Sequence, residues 1–257
     1  LMVKDPKVRI GITSRSHILF FHFYFSHYIK NKTADFQKDI FDLTQNDSIK
    51  NIYLVAFRGS AKSTILTTSY PIWSILGHRK EKYILIVSQT RIQARQHLAN
   101  IKMELEVNSL LKNDLGPFKE ESDEWGALSL TFPQLNARIT AISSEQSIRG
   151  TRHLEHRPSL IICDDIEDIQ SCKTKESRDK TYQWFMSEIR PLGDENTRFV
   201  CLGNLLHEDS LLMRVKRKIS NSEMEGVFKE YPLITKDGIC LWPGKFKTDK
   251  EIKTKKK

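Results

Sequence analysis

Six short apolar runs, at residues 52–57, 83–87, 128–132, 137–142, 160–163 and 199–202, are spaced through the chain, each rich in β-branched or aromatic residues and separated by stretches of helical character. Runs this short, and apolar nearly throughout, predict strands covered on both faces. Their alternation with helices predicts an α/β layer structure around a mainly parallel sheet. Helices are expected at 63–76, ended by Gly77, at 90–107, capped by Thr90, and at 173–189, stopped by Pro191. Helical stretches at 18–28 and 34–43 form a small lead-in, and a helix at 211–219 precedes strand-like pieces at 227–234 and 238–242. The organisation expected is a helical lead-in at 1–48, a core at 49–220, and short strands with a basic tail at 221–257.

Composition excludes several classes. The 257 residues are 28% charged and include 4 Trp, 13 Phe and 7 Tyr, too aromatic for a disordered chain and too evenly charged for a membrane protein. The most apolar early run, 18–25, is broken by His22 and falls far short of the ~20 residues a bilayer crossing needs. No membrane association is expected, and no signal-peptide series surrounds that run. Cys163, Cys172, Cys201 and Cys240 form no C-x-x-C pair and read as small core residues in a reducing cytosol. The net charge is +9, and more than half of it lies in residues 245–257, where seven lysines face two acids. Such a tail is either a solvated terminus or a docking arm.

The first run leads into Arg58-Gly59-Ser60-Ala61-Lys62-Ser63-Thr64 and then a helix, the strand–loop–helix context of a phosphate-binding loop. In that geometry backbone N–H groups face the phosphates, Lys62 reaches the β and γ oxygens, and the Ser63 hydroxyl ligates Mg²⁺. The usual motif has Gly where this chain has Ala56 and Ala61, and only Gly59 takes a positive φ at no cost. Taken alone, Lys-Ser-Thr at a helix start is also an ordinary helix beginning.

A second element supports the first. The run 160–163 ends in Asp164-Asp165, placing two carboxylates at the C-terminal edge of a buried strand, where open α/β sheets bind ligands. Asp164 is expected to hold Mg²⁺, directly or through water, and Asp165 to orient and deprotonate an attacking water. Glu167 and Asp168 read as loop acids. Loop and acid pair together point to a nucleoside triphosphatase. The run 199–202 ends in Gly203-Asn204, either a simple turn or an amide placed to sense the γ-phosphate. In His207-Glu208-Asp209, Asp209 suits a helix cap better than a metal site. Arg58 is the in-chain arginine nearest the phosphates, whereas Arg149 and Arg152 serve a neighbouring subunit, DNA phosphates or plain surface charge. Phe36 and Gln37 offer an aromatic face and an amide for an adenine, or, as isolated residues on a helix, serve simply as a core and a surface residue respectively.

The series Phe36-Gln37, residues 57–64, residues 147–152, residues 160–165 and Gly203-Asn204 through His207-Glu208-Asp209 resembles the large terminase subunit of tailed bacteriophages. The resemblance implies a three-layer P-loop NTPase of RecA-like type, in the class with an additional strand and a catalytic carboxylate. It assigns Lys62 and Ser63 to the Walker A loop, Asp164 to Walker B, Asp165 to the catalytic acid and Gly203-Asn204 to a coupling motif. Usual family members carry Glu at the acid and more often Thr at the position of Asn204. The implied activity is ATP hydrolysis with Mg²⁺, driving double-stranded DNA into a procapsid. The implied partners are a portal protein, a small terminase subunit and further copies of the chain in a ring, in the cytoplasm of a bacterial host. Family members also carry an RNase H-like nuclease with an acidic cluster; none follows residue 242 here, so no DNA cleavage is expected of these residues. A helicase-like translocase shares every nucleotide motif. A non-hydrolysing assembly component and a basic domain using no nucleotide are the other readings.

Overall fold

The computed structural model describes residues 4–118, 125–144 and 153–248. Its strands are β1 (Asn51–Ala56), β2 (Tyr83–Ser88), β3 (Ser129–Phe132), β4 (Ala137–Ser143), β5 (Leu160–Asp164), β6 (Arg198–Gly203) and β7 (Val227–Tyr231). They form one sheet in the order β3-β4-β2-β5-β6-β1-β7, parallel throughout except for the antiparallel pair β3 and β4. All six apolar runs are therefore strands. The seventh comes from the stretch beyond residue 220: β7 pairs with β1, while residues 238–242 supply only an isolated bridge between Ile234 and Cys240.

Side chains alternate across the pleat, so each central strand feeds two cores. Ile52, Leu54, Ile84, Ile86, Leu160, Ile162 and Val200 pack on one face, and Tyr53, Val55, Leu85, Val87, Ile161, Cys163 and Cys201 on the other. Cys163, Cys172 and Cys201 are buried, as expected of small core residues, whereas Cys240 is only partly buried.

The first face is covered by the lead-in helices α2 (His17–Tyr24) and α3 (Asp35–Gln45), by α4 (Tyr70–Leu76), and by α5 (Arg91–Val107) and α6 (Ser109–Leu115), while α1 (Pro6–Arg15) packs on α2 and α6. The second face is covered by α7 (Lys175–Trp184) and α8 (Leu211–Ser220). Thr90 caps α5 in a reciprocal box with Gln93, which is why that helix starts where expected. Two helices are not regular to their ends. Residues Thr64–Ser69 form a π-helical turn leading into α4, and Phe185–Ile189 form another after α7.

Neither α1 nor α6 follows from sequence periodicity. Helix α1 is held by tertiary contacts: Arg9 is buried against Asp114 of α6, and the Trp73 indole N–H donates to the Thr13 carbonyl at 2.9 Å. The lead-in is fixed to the sheet by Arg198 of β6, whose guanidinium donates to the carbonyls of Leu43 at 2.5 Å and Asn46 at 2.9 Å. Among the described residues no helix is long and apolar enough to cross a membrane.

Register determines which residues meet at the sheet edge. Val55 of β1 lies opposite Gly203 of β6, and Leu202 of β6 opposite Asp164 of β5. The loop after β1, the Gly203-Asn204 pair and the two acids therefore leave the sheet side by side. Strand β6 stands between the loop-bearing strand and the acid-bearing one.

Candidate active site

The loop after β1 adopts its shape against local preference. Gly59 has φ +82°, and Ala61, in a place usual for glycine, also takes a left-handed conformation at φ +69°. That conformation costs an L-residue about 1–2 kcal/mol. Surrounding groups hold it: the Gln37 amide donates to the Ser60 carbonyl at 3.0 Å, while its own oxygen accepts from the Ala34 N–H at 3.0 Å. Gln37 thus supports the loop from α3 and also lines a cleft beside Ala61 and Thr64. Phe36 does not share that cleft. It is buried, packed against Phe57, Tyr231 and Trp242, so its ring serves the core and not a nucleotide base.

Lys62 is nearly buried, and its ammonium donates to Asn204 Oδ1 at 3.0 Å and stands 3.9 Å from Asp165 Oδ2. The Asn204 amide N–H donates in turn to Asp165 Oδ1 at 3.1 Å. One residue from each of three adjacent strand ends therefore closes a lysine–amide–carboxylate triangle. The adjacent acids reach the same edge because β5 ends at Asp164 and Asp165 turns the backbone at φ +46°. Gly203 leaves little room on this side: a Cβ there would meet Leu212 Cδ1 at 2.8 Å, so the Leu212 side chain would have to shift, and would lie 3.7 Å from Asp165 Oδ1.

The two acids differ in surroundings. Asp164 is buried, with Oδ2 accepting from the Thr67 hydroxyl at 2.7 Å and lying 3.6 Å from His97 Nε2. Its Oδ1 is buried and has no hydrogen-bond partner among the described residues. A buried carboxylate oxygen left so is costly. It fits a divalent cation, which Asp164 and the Ser63 hydroxyl, placed next to Lys62 where the π-helical turn begins, would hold. Asp165 is pushed above the ordinary carboxylate range by burial, opposed by Lys62 and reinforced by Asp164. A carboxylate so disposed is a better proton acceptor than an exposed one.

Arg58 is exposed at the loop, and its charge favours ionisation of Asp165. It faces a broad groove shared with Asn204, Leu205, Tyr231 and Lys236. Arg149 and Arg152 lie outside the described residues. The helix-cap reading of Asp209 is not met. Its carboxylate is held by Arg178, Arg214 and Arg217 at 3.2, 2.6 and 2.6 Å, well below the ordinary range, with Arg214 the largest cause. The acid that caps α8 is Glu167, whose Oε1 accepts from the Leu211 N–H at 2.8 Å. Sequence reasoning missed Thr67 and His97. Thr67 lies five residues after Lys62, but its aim depends on the π-helical turn, and His97 carries no local signal at all.

No protein-family model matches the sequence, and no curated protein does either. Among solved structures the chain is similar to the HK97 bacteriophage large terminase, with TM-score 0.61 and 14% identity, covering 95% of this chain and 51% of that one. It is also similar to S. cerevisiae Dbp5 bound to RNA and ADP BeF3, with TM-score 0.50 and 11% identity, covering 82% of this chain and 49% of that one. The ATPase domain of a Thermus phage large terminase aligns at TM-score 0.49 and 13% identity, covering 76% of this chain and 79% of that one. The chain thus spans about half the length of the HK97 protein it matches. The likenesses to the HK97 large terminase and to Dbp5 show the fold, a mainly parallel seven-stranded α/β sheet of the RecA-like P-loop NTPase type.

Proposed function

We propose that this chain is the ATP-hydrolysing motor domain of a large terminase, moving double-stranded DNA into a procapsid. The observation that carries the reading is the triangle of Lys62, Asn204 and Asp165 beside the unpartnered oxygen of Asp164. The backbone of Gly59, Ser60 and Ala61 and the start of the turn at Thr64 cradle the phosphates, with Lys62 on the β and γ oxygens. Ser63 and Asp164 would hold Mg²⁺, which would neutralise phosphate charge there. Asp165 orients a water in line with the γ-phosphate and accepts its proton, a contribution of roughly 10²–10⁴ in rate. Arg58 stabilises transition-state charge from within the chain, and Arg149 or Arg152 serves a neighbouring copy or the DNA. Asn204 exchanges its bond to Lys62 when the γ-phosphate arrives, and the change passes along the Gly203-Asn204 strand end.

The implied partners are double-stranded DNA, a portal protein, a small terminase subunit and further copies of the chain in a ring, in the cytoplasm of a bacterial host. The test is Mg²⁺-dependent phosphate release from ATP, with and without linear duplex DNA, on wild type beside Lys62→Ala. Turnover stimulated by DNA and lost in Lys62→Ala supports the packaging motor. The likeness to Dbp5 favours a second reading, a helicase-like translocase, which predicts strand separation without a procapsid. ATP binding without turnover would instead support an assembly component, with Ala61 and the short acid Asp165 as the disabling features.

A further inference from the structure

The carbonyls of two successive loop residues are held from opposite sides. Gln37 of α3 donates to the Ser60 carbonyl at 3.0 Å, and the Lys245 ammonium donates to the Gly59 carbonyl at 2.6 Å. The second donor comes from nearly two hundred residues downstream, past the last strand of the sheet. Its charge is fixed by aromatic rings: the Lys245 nitrogen lies 4.6 Å from the Trp242 ring centroid and 5.5 Å from that of Phe246. Those rings are themselves anchored. The Trp242 indole N–H donates to the Lys32 carbonyl at 2.9 Å and its ring meets Phe36 edge-on, while Phe246 meets Phe57 of the loop in the same manner.

This arrangement closes a cleft. Tyr28, Asn31, Gln37, Thr64, Trp242 and Lys245 are among its walls, with Ala61 at the end nearest the loop. One wall is the lead-in, one is the helix after the loop, and one is the segment from Trp242 to Phe246. An ammonium bonded to a loop carbonyl does two things. It removes freedom from the Gly59-Ser60 peptide, at the loop position with φ +82°, and it places a fixed positive charge within the loop's immediate surroundings.

We propose that the segment from Trp242 to Phe246 is a nucleotide-binding clasp: Lys245 fixes the phosphate loop through the Gly59 carbonyl and adds its charge to the phosphate field, and Trp242 walls the nucleoside side of the cleft. The inference rests on the nucleotide reading above and extends it to residues that no loop or strand-end motif contains. Lys245 is a positioning residue, acting on the phosphates through the loop.

The experiment is equilibrium binding of ATP with Mg²⁺, followed by tryptophan fluorescence and by calorimetry, on wild type, Lys245→Met, Lys245→Arg, Trp242→Phe and Lys62→Ala. Lys245→Met keeps the aliphatic stem and removes donor and charge. It is expected to weaken binding about tenfold, the equivalent of about 1.4 kcal/mol, while melting within about 2 °C of wild type in the absence of nucleotide. Lys245→Arg retains a donor and a charge and restores most of the affinity, a rescue that a purely structural contact would not show. The ATP-dependent fluorescence change disappears in Trp242→Phe. Wild-type affinity in Lys245→Met, alongside lost affinity in Lys62→Ala, overturns the clasp and leaves the nucleotide reading standing. Unchanged affinity in Lys62→Ala overturns both. If Lys245→Met does not fold, a fluorescence change that persists in Trp242→Phe overturns the clasp on its own.

Discussion

Replacing Asp165 by Asn should raise stability and remove activity together. The two side chains have the same shape, and both tolerate the left-handed backbone found there at φ +46°, so the substitution changes charge with little change in strain. The Asn204 N–H retains an oxygen acceptor, while the acid loses its position 3.9 Å from Lys62. Burial and the neighbouring Asp164 outweigh Lys62 and hold the Asp165 carboxyl above its ordinary range. The folded protein therefore binds this proton more tightly than the unfolded chain does. Its contribution is fully present below the ordinary carboxylate range and is lost as pH rises through the folded value. At neutral pH the ionised acid is a cost that Asn does not carry. Because the side chain is 35% exposed, solvent screening holds the gain to about 0.5–1 kcal/mol. For a chain this long that is roughly 1–4 °C in melting midpoint. The assay is thermal and urea unfolding of both proteins at pH 7 and at pH 3, in chelator and without nucleotide, beside phosphate release with Mg·ATP. The advantage of Asn should be largest at pH 7 and shrink at pH 3, with turnover down roughly 10²–10⁴-fold. A variant less stable than wild type by more than about 1 kcal/mol at neutral pH, or one retaining turnover, would refute the reasoning.

The same structure sets other outcomes. Mg·ATP at a hundred times its Kd should stabilise wild type by about 2.7 kcal/mol and leave Lys62→Ala unshifted, which differential scanning fluorimetry reads directly. Asp114→Ala takes the bidentate carboxylate from buried Arg9 and the acceptor from the Tyr24 hydroxyl, and urea unfolding should show a loss of about 3–5 kcal/mol. Although burial works to raise the Asp114 pKa, the bonds from Arg9 and Tyr24 bring it below the ordinary range. Its stabilisation is therefore present above that range and fades as pH falls, a trend that acid titration of the melting midpoint should lose in Asp114→Ala. Glu167→Ala removes the cap of α8 and should cost about 0.5–2 kcal/mol, whereas Glu167→Gln keeps an acceptor for the Leu211 N–H and should cost less.

Strands were legible because a doubly covered strand has to be apolar along its whole length, and the runs at 160–163 and 199–202 are buried from end to end. The loop and the acid pair were legible because phosphate and metal chemistry restricts residue types within a few positions. What escaped depends on distant partners. Helix α1, with Gly11 and Thr13 in its middle, lacks a strong apolar stripe, and its place is set by Asp114 and Trp73. His97 and Thr67 meet Asp164 across the fold, and Lys245 meets Gly59. Asp209 has the composition of a helix cap, yet three arginines from two helices claim its carboxylate, and Glu167 takes the capping role from another strand end.

The π-helical turn Thr64–Ser69 sets an angular offset. Each residue of an α-helix advances the side chains by about 100°, so accommodating a wider turn changes the phase between the residues on its N-terminal side and those on its C-terminal side. Before it stands Lys62, and after it Tyr70 and Trp73 are fully buried. Within it, Thr67 reaches Asp164 and Ser69 reaches the buried His17 ring at 3.0 Å. Winding these residues as regular α-helix without losing one would swing Tyr70 and Trp73 about a quarter-turn out of the core, or else drag Lys62 by the same angle away from Asn204, whereas deleting one residue lets the turn close with its two flanks still in phase. At its present residue count, the phosphate end and the core end of this helix stay in phase only through the wide turn.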